Sequence, residues 1–481
     1  MRTSSAALPV LRFSVPLLFV VTGLCLWSAW CQFPFFPWND ARLAPAFALR
    51  LGINPYPLIG GGPLSTWIYG PVGIFINLPA TWAASAEDAL HIASLINFSV
   101  LTCPLVVIFF TATALGNQVP ELKWFALALS ILLIPAPNFI FQVADHTAVA
   151  FGLLSNWWLA KPSNLRHGHY AIAAAFCSLA IWSKQITVFL VAAQLVYLFQ
   201  VGQRAAIVKY LLWLALWGFI ALGLFVWSFG WENLWLNLVV IPERLPWADD
   251  FFARLIRRRW PLIAQIGLPI IGLTVLRMKK IWPGSKTDGG RFFQLSAMAY
   301  ATMLPIGLMG FAKIGGDTNL IHSWDYLLPG SILVWLESAI FSPATGIRMI
   351  AAAMLAVCVH FTDLLALPSK PLTRHFEYAS RLAAAYPHEV WFPRNPVITY
   401  YADGKLWQSE DGIQTRFLAH YGLREADFRR YLPPNLKAVA YPAQFGDSFS
   451  MALLSELSQT SAVPDWTIYS RPMISQGTPK K

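Results

Sequence analysis

The sequence predicts a polytopic α-helical membrane protein of about eleven transmembrane helices. Amphipathic helices are expected on its outer face, and a small α+β soluble domain at its C-terminus. Of the 481 residues, 56% are hydrophobic and 12% are charged, about half the charged fraction usual in soluble domains. The mean hydropathy is +0.52. The 22 tryptophans are typical of membrane proteins with aromatic belts at the two interfaces.

The net charge of +11 does not indicate nucleic acid, because no long block of Lys and Arg is present. The basic residues are expected in cytoplasmic loops or against lipid headgroups and phosphates. All five cysteines lie in or beside apolar runs without CxxC spacing, so disulfides and a structural zinc site are not expected. Residues 1–31 are interpreted as a retained anchor, since Trp27, Trp30 and Cys31 make a poor signal-peptidase site.

Eleven apolar runs approach the length needed to span a bilayer. They are 13–31, 89–115, 124–143, 146–160, 170–183, 185–200, 210–229, 261–276, 292–311, 325–341 and 347–366. A twelfth run at 68–82 is short and contains Pro71 and Pro79. We expect it to lie along the outer membrane surface. A span there would move Asp145 to the cytoplasmic side and place the basic loop at 277–291 outside.

Basic loops set the orientation of such a chain. Lys and Arg are densest at 277–291, followed by 161–166 and 204–209. If these loops are cytoplasmic, the N-terminus is inside, and residues 32–88, 230–260 and 366–481 are outside. The predicted location is the cytoplasmic (inner) membrane, with the polar candidate groups on its outer face.

The chain is predicted to divide at residue 366 into a transmembrane catalytic domain and a C-terminal extracytoplasmic domain, 367–481. Aromatic, charged and turn residues alternate in this second part, as in VWFPRNPVITYYADGKLW. The patterns predict strands and helices, with the strands at 389–392 and 397–401 and the helices at 374–385, 412–421 and 424–431.

Asp40 and Arg42 lie where the chain leaves the first apolar run. A carboxylate at a lipid–water boundary suits a general base that acts on a lipid-borne substrate. The alternative is that Asp40 caps a helix over 41–52 and that Arg42 contacts headgroups.

Two further candidates lie between apolar runs. Asp145 and His146 are either a functional pair, since ionisable residues at such depth are functional by default, or a turn in which Asp145 caps a helix. Two adjacent ligands are a weak indication of a divalent metal. Lys184 has apolar neighbours on both sides, so it either extends to the surface or binds a phosphate.

Outer loops are expected to be poor in arginine, yet Arg257 and Arg258 lie in one of them. Guanidinium groups there suit phosphate oxygens, or attract anionic lipid without specificity. The segment KIGGDTNLIHSWD, 313–325, concentrates polar groups between two apolar runs: Lys313, Asp317, Asn319, His322 and Asp325. GxSxG, Walker A and HExxH motifs are absent, so lipase, NTPase and zinc-protease functions lack support.

Several segments together resemble the GT-C class of polytopic glycosyltransferases, which includes protein O-mannosyltransferases and lipid A aminoarabinose transferases. They are the boundary Asp40 followed by GINPY, QVADHTAVAFGLL with Asp145, AIWSKQITVFLVAAQ with Lys184, and KIGGDTN…LLP with Lys313 and Asn319. The first loop reads Asn39-Asp40, where the class commonly has an Asp-Glu pair.

The resemblance implies an inverting sugar transfer from a polyprenyl-phosphate donor to a hydroxyl of a glycan, lipid or protein. Asp40 would be the base, with Asp145 also catalytic. The donor phosphate would bind Lys184, Arg257, Arg258 and Lys313. Arg42, Tyr69, His146, Asn319 and His322 would contact substrate. The resemblance implies no definite cofactor and leaves the binding of a divalent metal open. The alternatives are a transporter of lipid-linked sugars, or a scaffold whose outer domain binds a partner.

Overall fold

The computed structural model describes most of the chain. The described residues are 7–65, 67–112, 120–161, 168–250, 253, 267, 269–274, 287–314, 316, 322–340, 372–443, 450–454, 456–457, 459–463 and 466–471.

Nine helices of the described segments form the bundle. They are α1 (Ala7–Trp30), α4 (Ala86–Thr111), α5 (Pro120–Leu133), α6 (Ala144–Ala160), α7 (Gly168–Ser183), α8 (Phe189–Gln200), α9 (Arg204–Phe229), α12 (Asp288–Phe311) and α13 (Ser323–Ile340). Four of the helices are long and apolar enough to cross a membrane. The structure is that of a polytopic helical membrane protein. The predicted spans at 261–276 and 347–366 lie mostly or wholly outside the described residues.

The predicted span at 124–143 is wrong in its second half. Helix α5 ends at Leu133, and a 3₁₀ turn over Ala136–Phe139 follows. Pro135 and Pro137 explain the break, since proline provides no backbone N–H and restricts the residue before it. The break brings 140–143 back toward the first loop and fixes the start of α6.

The bundle core is apolar, with close pairs α6–α7, α12–α13, α7–α9 and α1–α5. One polar group crosses it: the Gln194 amide donates to Ser155 Oγ and Asn156 Oδ1, both at 2.9 Å. Such bonds join helices inside a bundle that has no water to satisfy them. Helix α9 contributes little to the core, and its most apolar window is exposed, as expected for a helix that faces lipid.

The first loop folds into α2 (Pro37–Arg50), an irregular stretch, α3 (Val72–Asn77) and a 3₁₀ helix over Leu78–Trp82. Helix α2 begins four residues before the predicted 41–52 helix because Pro37 occupies its first turn, where proline is favoured. The apolar run at 68–82 is too short for a span, because its helix starts only after Pro71. Its position along the membrane surface stays a prediction. Short helices α10 (Trp231–Trp235) and α11 (Ile241–Arg244) flank a π-helical turn, Leu236–Val240.

The C-terminal part contains α14 (Leu372–Ala385), α15 (Pro396–Asp403), α16 (Glu410–Leu418) and α17 (Glu425–Arg429). Its strands are β1 (Val390–Trp391), β2 (Ala438–Pro442), β3 (Gln459–Val463) and β4 (Trp466–Ser470), in the order β1-β2-β4-β3. Strand β1 runs parallel to β2, and the other pairs are antiparallel. Helices α14, α16 and α17 lie within a few residues of the three predicted helices.

The predicted strand at 397–401 is wrong, because these residues form α15. Pro396 occupies the first turn of the helix, and Gly404 ends it in the left-handed conformation with φ of 69°. Proline at the start and glycine just past the end are the usual helix boundaries. They outweigh the β-branched and aromatic residues between them.

The C-terminal part packs on the first loop through a shared apolar core. Phe35 contacts Phe376 with ring centroids 4.9 Å apart, and Phe47 contacts Tyr400 at 4.8 Å. The backbones also approach closely, since a Cβ on Gly412 would lie 2.6 Å from the Ser65 carbonyl oxygen. The end of the bundle that carries these contacts is called the domain end below.

Candidate functional site

A cavity of about 570 Å³ opens at the domain end of the bundle. Its described walls come from five places: the first loop, the turn between α7 and α8, the segment 238–247, the C-terminal end of α12 with the residues that follow it, and helix α16 of the C-terminal part. The size is that of a small-molecule site, which usually measures 300–1,000 Å³. Residues far apart in sequence therefore meet around one space.

One wall of the cavity is apolar and belongs to the bundle. Phe189 of α8, with Ile306 and Met309 of α12, faces the space. These helices continue into the apolar bundle, so a hydrocarbon chain can lie along this wall. Three basic side chains, Lys184, Lys313 and Arg42, also line the cavity.

Lys184 is buried at the start of the 3₁₀ turn before α8, and its Nζ pairs with the Asp145 carboxylate of α6. The side chains are only 4% and 5% exposed, so Lys184 does not extend into solvent. Asp145 lies in the first turn of α6, after the cap position held by Val143. The sequence prediction that both residues belong to one site agrees with this geometry, and their direct pairing is new. An ammonium has three N–H donors, so Lys184 can pair with Asp145 and still donate a hydrogen bond to a ligand.

Tyr69 is placed over Lys184 by a close backbone approach. Gly70 donates its N–H to the Ser183 carbonyl oxygen at 3.2 Å. A Cβ there would lie 1.7 Å from the Trp182 carbonyl oxygen, so only glycine fits. The Lys184 Nζ then lies 5.2 Å from the Tyr69 ring centroid, which is a cation–π contact.

Arg42 and Lys313 come to the cavity from different segments of the chain, the first loop and the end of α12. The Arg42 guanidinium stacks 4.8 Å over the Trp38 ring and donates to the Gln142 carbonyl oxygen at 3.3 Å. Lys313 Nζ donates to the carbonyl oxygens of Pro242 and Glu243, at 2.8 and 3.0 Å. Both predicted cations therefore line the same space as Lys184.

Asp40 is placed differently from its predicted role. It is fully buried, and it does not belong to the described lining of the cavity. Its Oδ1 accepts the Val397 backbone N–H at 2.7 Å, and Oδ2 accepts from the Asn395 amide at 3.5 Å. Asp40 thus caps α15 of the C-terminal part, and the alternative that it caps a helix over 41–52 is wrong. Burial raises the pKa of this carboxyl to about 7, although the hydrogen bonds from Val397 and Asn395 oppose the rise.

The adjacent Asp145 and His146 point to different partners. His146 Nδ1 lies 3.3 Å from the Asn97 amide and 3.2 Å from the Phe141 carbonyl oxygen. His322 lies behind Lys184 in a narrow space that Asp145 also lines, and its Nδ1 is 2.8 Å from Asp325 Oδ2. Among the described residues, no three His, Cys, Asp or Glu side chains converge as metal ligands would.

Sequence reasoning missed the contribution of the C-terminal part. Asp411, Gln414, Thr415 and Leu418, all on one side of α16, line the cavity. Glu243 also lines it. The i, i+3, i+4, i+7 spacing was visible in the sequence, but it does not indicate which surface the helix packs on. The predicted phosphate ligands Arg257 and Arg258, and the predicted substrate ligand Asn319, lie outside the described residues.

The chain matches no protein-family model and no curated protein sequence. Its fold is similar to two solved structures of ArnT from Cupriavidus metallidurans. The structure bound to undecaprenyl phosphate has 11% identity and a TM-score of 0.57, covering 98% of this chain and 99% of that one. The apo structure has 12% identity and a TM-score of 0.59, covering 97% and 98%. The chain therefore has, over nearly its whole length, the fold of ArnT, a GT-C lipid A aminoarabinose transferase, as its sequence motifs predicted.

Proposed function

We propose that the protein is a GT-C-type glycosyltransferase that takes a sugar from a polyprenyl-phosphate donor at the outer face of the cytoplasmic membrane. The observation that carries this proposal is the cavity, where an apolar wall of the bundle meets Lys184, Arg42 and Lys313. A polyprenyl chain fits the wall, and a phosphate fits the cations. The ArnT structure with undecaprenyl phosphate supports the same ligand class.

The proposed transfer is a substitution at the anomeric carbon. The acceptor hydroxyl oxygen bonds to that carbon as the bond to the phosphate oxygen breaks, with inversion. The hydroxyl proton passes to a base, and the lipid phosphate leaves as an anion. Lys184, held by Asp145, is the group proposed to stabilise the leaving charge, because fixed cations are effective in a buried site. The predicted contacts of Tyr69, His146 and His322 with substrate, and the role of Arg257, Arg258 and Asn319, stay predictions.

Asp40 remains the proposed base, but because it is buried it must become accessible before it can act. A pKa of about 7 suits proton transfer at neutral pH. Both carboxylate oxygens, however, accept hydrogen bonds from the residues at the start of α15. We therefore propose that catalysis by Asp40 requires Asn395 and Val397 to move away from it. The catalytic role of Asp145 is likewise a proposal, and its pairing supports an electrostatic role rather than proton transfer.

A transporter of lipid-linked sugars is the alternative, since the same cavity would hold such a lipid. Transport requires polar groups along a path through the bundle. The polar group at Ser155, Asn156 and Gln194 is buried, and the Gln194 amide donates to both of the other side chains, which favours a structural role. This observation supports the enzyme over the transporter.

The test uses the full chain, purified and reconstituted in nanodiscs, with a panel of synthetic polyprenyl-phosphate sugars. Release of lipid phosphate and transfer to added acceptors are measured in wild type, Asp40→Asn and Asp88→Asn. Asp88 is the matched control, an exposed carboxylate at the start of α4.

Turnover in wild type that is lost in Asp40→Asn but kept in Asp88→Asn supports both the reaction and the base. Turnover kept in Asp40→Asn rejects the base and leaves the enzyme. Tight lipid binding with no turnover of any donor rejects the enzyme in favour of transport.

A further inference from the structure

Helix α16 of the C-terminal part turns one side to the cavity. Asp411, Gln414 and Thr415 are partly exposed there. The intervening Gly412 and Arg416 are buried on the other side. The helix therefore has a polar cavity side and a packed side.

The packed side holds the helix in place. Gly412 lies against the carbonyl oxygens of Leu64 and Ser65, with a Cβ position 2.8 and 2.6 Å from them. The buried Arg416 donates to Asn237 Oδ1 at 2.6 Å, which joins the helix to the segment that forms another cavity wall. Because Gly412 and Arg416 hold the helix at two points, its cavity-side residues have defined positions, as a recognition surface requires.

The cavity side of α16 offers hydrogen bonds of a particular kind. Asp411 uses Oδ1 to pair with Arg394 at 3.0 Å, and its carboxylate has further acceptor sites. Burial raises the pKa of Asp411, while Arg394 and Arg42 lower it. Thr415 donates its hydroxyl to the Asp411 carbonyl oxygen at 2.6 Å, so its oxygen is an acceptor. Gln414 carries both a donor and an acceptor.

These groups discriminate between the parts of a lipid-linked sugar. A phosphate would be repelled by the Asp411 carboxylate, and a hydrocarbon chain would leave the polar groups unpaired. Neutral hydroxyl groups donate to a carboxylate and exchange hydrogen bonds with an amide. The cations for phosphate lie on Lys184, Lys313 and Arg42, which come from other walls of the same cavity.

We infer that Asp411 and Gln414 bind hydroxyl groups of the donor's sugar, so that helix α16 of the C-terminal part determines which sugar the cavity accepts. The inference rests on the proposed function, which supplies a sugar attached to the lipid phosphate. Asp411 acts in recognition, and it takes no part in the bond exchange.

The experiment compares two ligands in nanodiscs, undecaprenyl phosphate and undecaprenyl-phosphate sugars, by equilibrium binding without acceptor. The variants are Asp411→Asn, Gln414→Ala and the matched control Glu425→Gln, an exposed carboxylate on α17. We expect the affinity for the sugar-bearing lipid to fall about 10- to 100-fold in Asp411→Asn and about 2- to 10-fold in Gln414→Ala. Affinity for undecaprenyl phosphate is expected not to fall in any of the three, and it should rise in Asp411→Asn if the carboxylate repels the phosphate.

Deoxy-sugar donors sharpen the test. A donor that lacks the recognised hydroxyl should bind the wild type more weakly than the parent donor does. The Asp411→Asn variant should bind the two donors equally. Equal losses for both lipids, or no loss for either, overturn the inference while leaving the transferase proposal intact. A wild-type protein that binds neither lipid overturns the proposed function and this inference with it. Should Asp411→Asn not fold because Arg394 loses its charge partner, Gln414→Ala gives the same decision.

Discussion

The buried pair of Lys184 and Asp145 gives the sharpest prediction about stability. The two side chains are 4% and 5% exposed. Removing one partner of a buried pair leaves an uncompensated charge and costs about 3–5 kcal/mol. Removing both charges leaves two neutral polar side chains of similar volume, so the loss of unfolding free energy is small. Lys184→Gln is therefore expected to be much less stable than the double variant Asp145→Asn/Lys184→Gln.

The expected change in melting temperature follows from chain length. Unfolding entropy is about 2.1 cal/mol/K per residue, which gives about 1 kcal/mol/K for 481 residues. A loss of about 3–5 kcal/mol then lowers the Tm by about 3–5 °C if the chain unfolds as one unit. Tryptophan fluorescence during heating, at one pH and in one lipid, measures it.

Lys437→Gln is the matched control for this comparison. Lys437 pairs with Glu389 at 2.8 Å, but its side chain is 69% exposed, so the variant should lose at most about 1 kcal/mol. A single Lys184→Gln variant as stable as the double variant would refute the reasoning. Binding of undecaprenyl phosphate distinguishes a role of Lys184 in stability from a role in phosphate binding. The double variant should be stable and yet bind this lipid weakly. Undiminished binding in the double variant would remove Lys184 from the phosphate site.

Three further predictions concern the contact between the first loop and the C-terminal part. Because the pKa of Asp40 is raised from its ordinary value near 4 to about 7, stability should fall as pH rises between these values, by about 4 kcal/mol over a rise of roughly 3 pH units. Asp40→Asn should lose this dependence in thermal melts at pH 5 and pH 8, and equal slopes in both proteins would contradict the assignment. Gly412→Ala should loosen the C-terminal part and speed its proteolysis, whereas Gly422→Ala, where a Cβ meets no atom within 4 Å, should not. Arg416→Met leaves the side-chain Oδ1 of Asn237 without this donor and should speed proteolysis of the C-terminal part. A wild-type digestion rate would argue that the bond between Arg416 and Asn237 does not hold this part in place.

Most of the bundle could be predicted because apolar length is a strong signal in a chain with few charges. The failures were local. The run at 124–143 reads as one span by hydropathy alone, yet Pro135 and Pro137 divide it. Residues 397–401 are β-branched and aromatic, as in a strand, yet Pro396 and Gly404 set helix ends around them. In both places, backbone chemistry at two residues outweighed the side-chain pattern between them.

The candidate site was predicted in part for a related reason. Lys184 and Asp145 stand out because a charge among apolar neighbours requires an explanation. Asp411 does not stand out, since a carboxylate on a polar helix is ordinary in a soluble-looking domain. Its importance depends on Gly412 docking against the first loop, and such long-range packing leaves no trace in local sequence. The burial of Asp40 beneath α15 was hidden for the same reason.

The hydrogen bond between Asp40 and Val397 joins positions 357 residues apart. During synthesis at about 5–20 residues per second, the carboxylate waits roughly 20–70 seconds for its partner. Throughout that time the first loop has been synthesised, but the surface that will bury Asp40 has not. A carboxylate in water stays ionised above pH 4, so the loop remains hydrated until the last part of the chain arrives. Burial of Asp40 therefore marks the arrival of α15, and a chain truncated before Pro396 would carry an open, charged first loop.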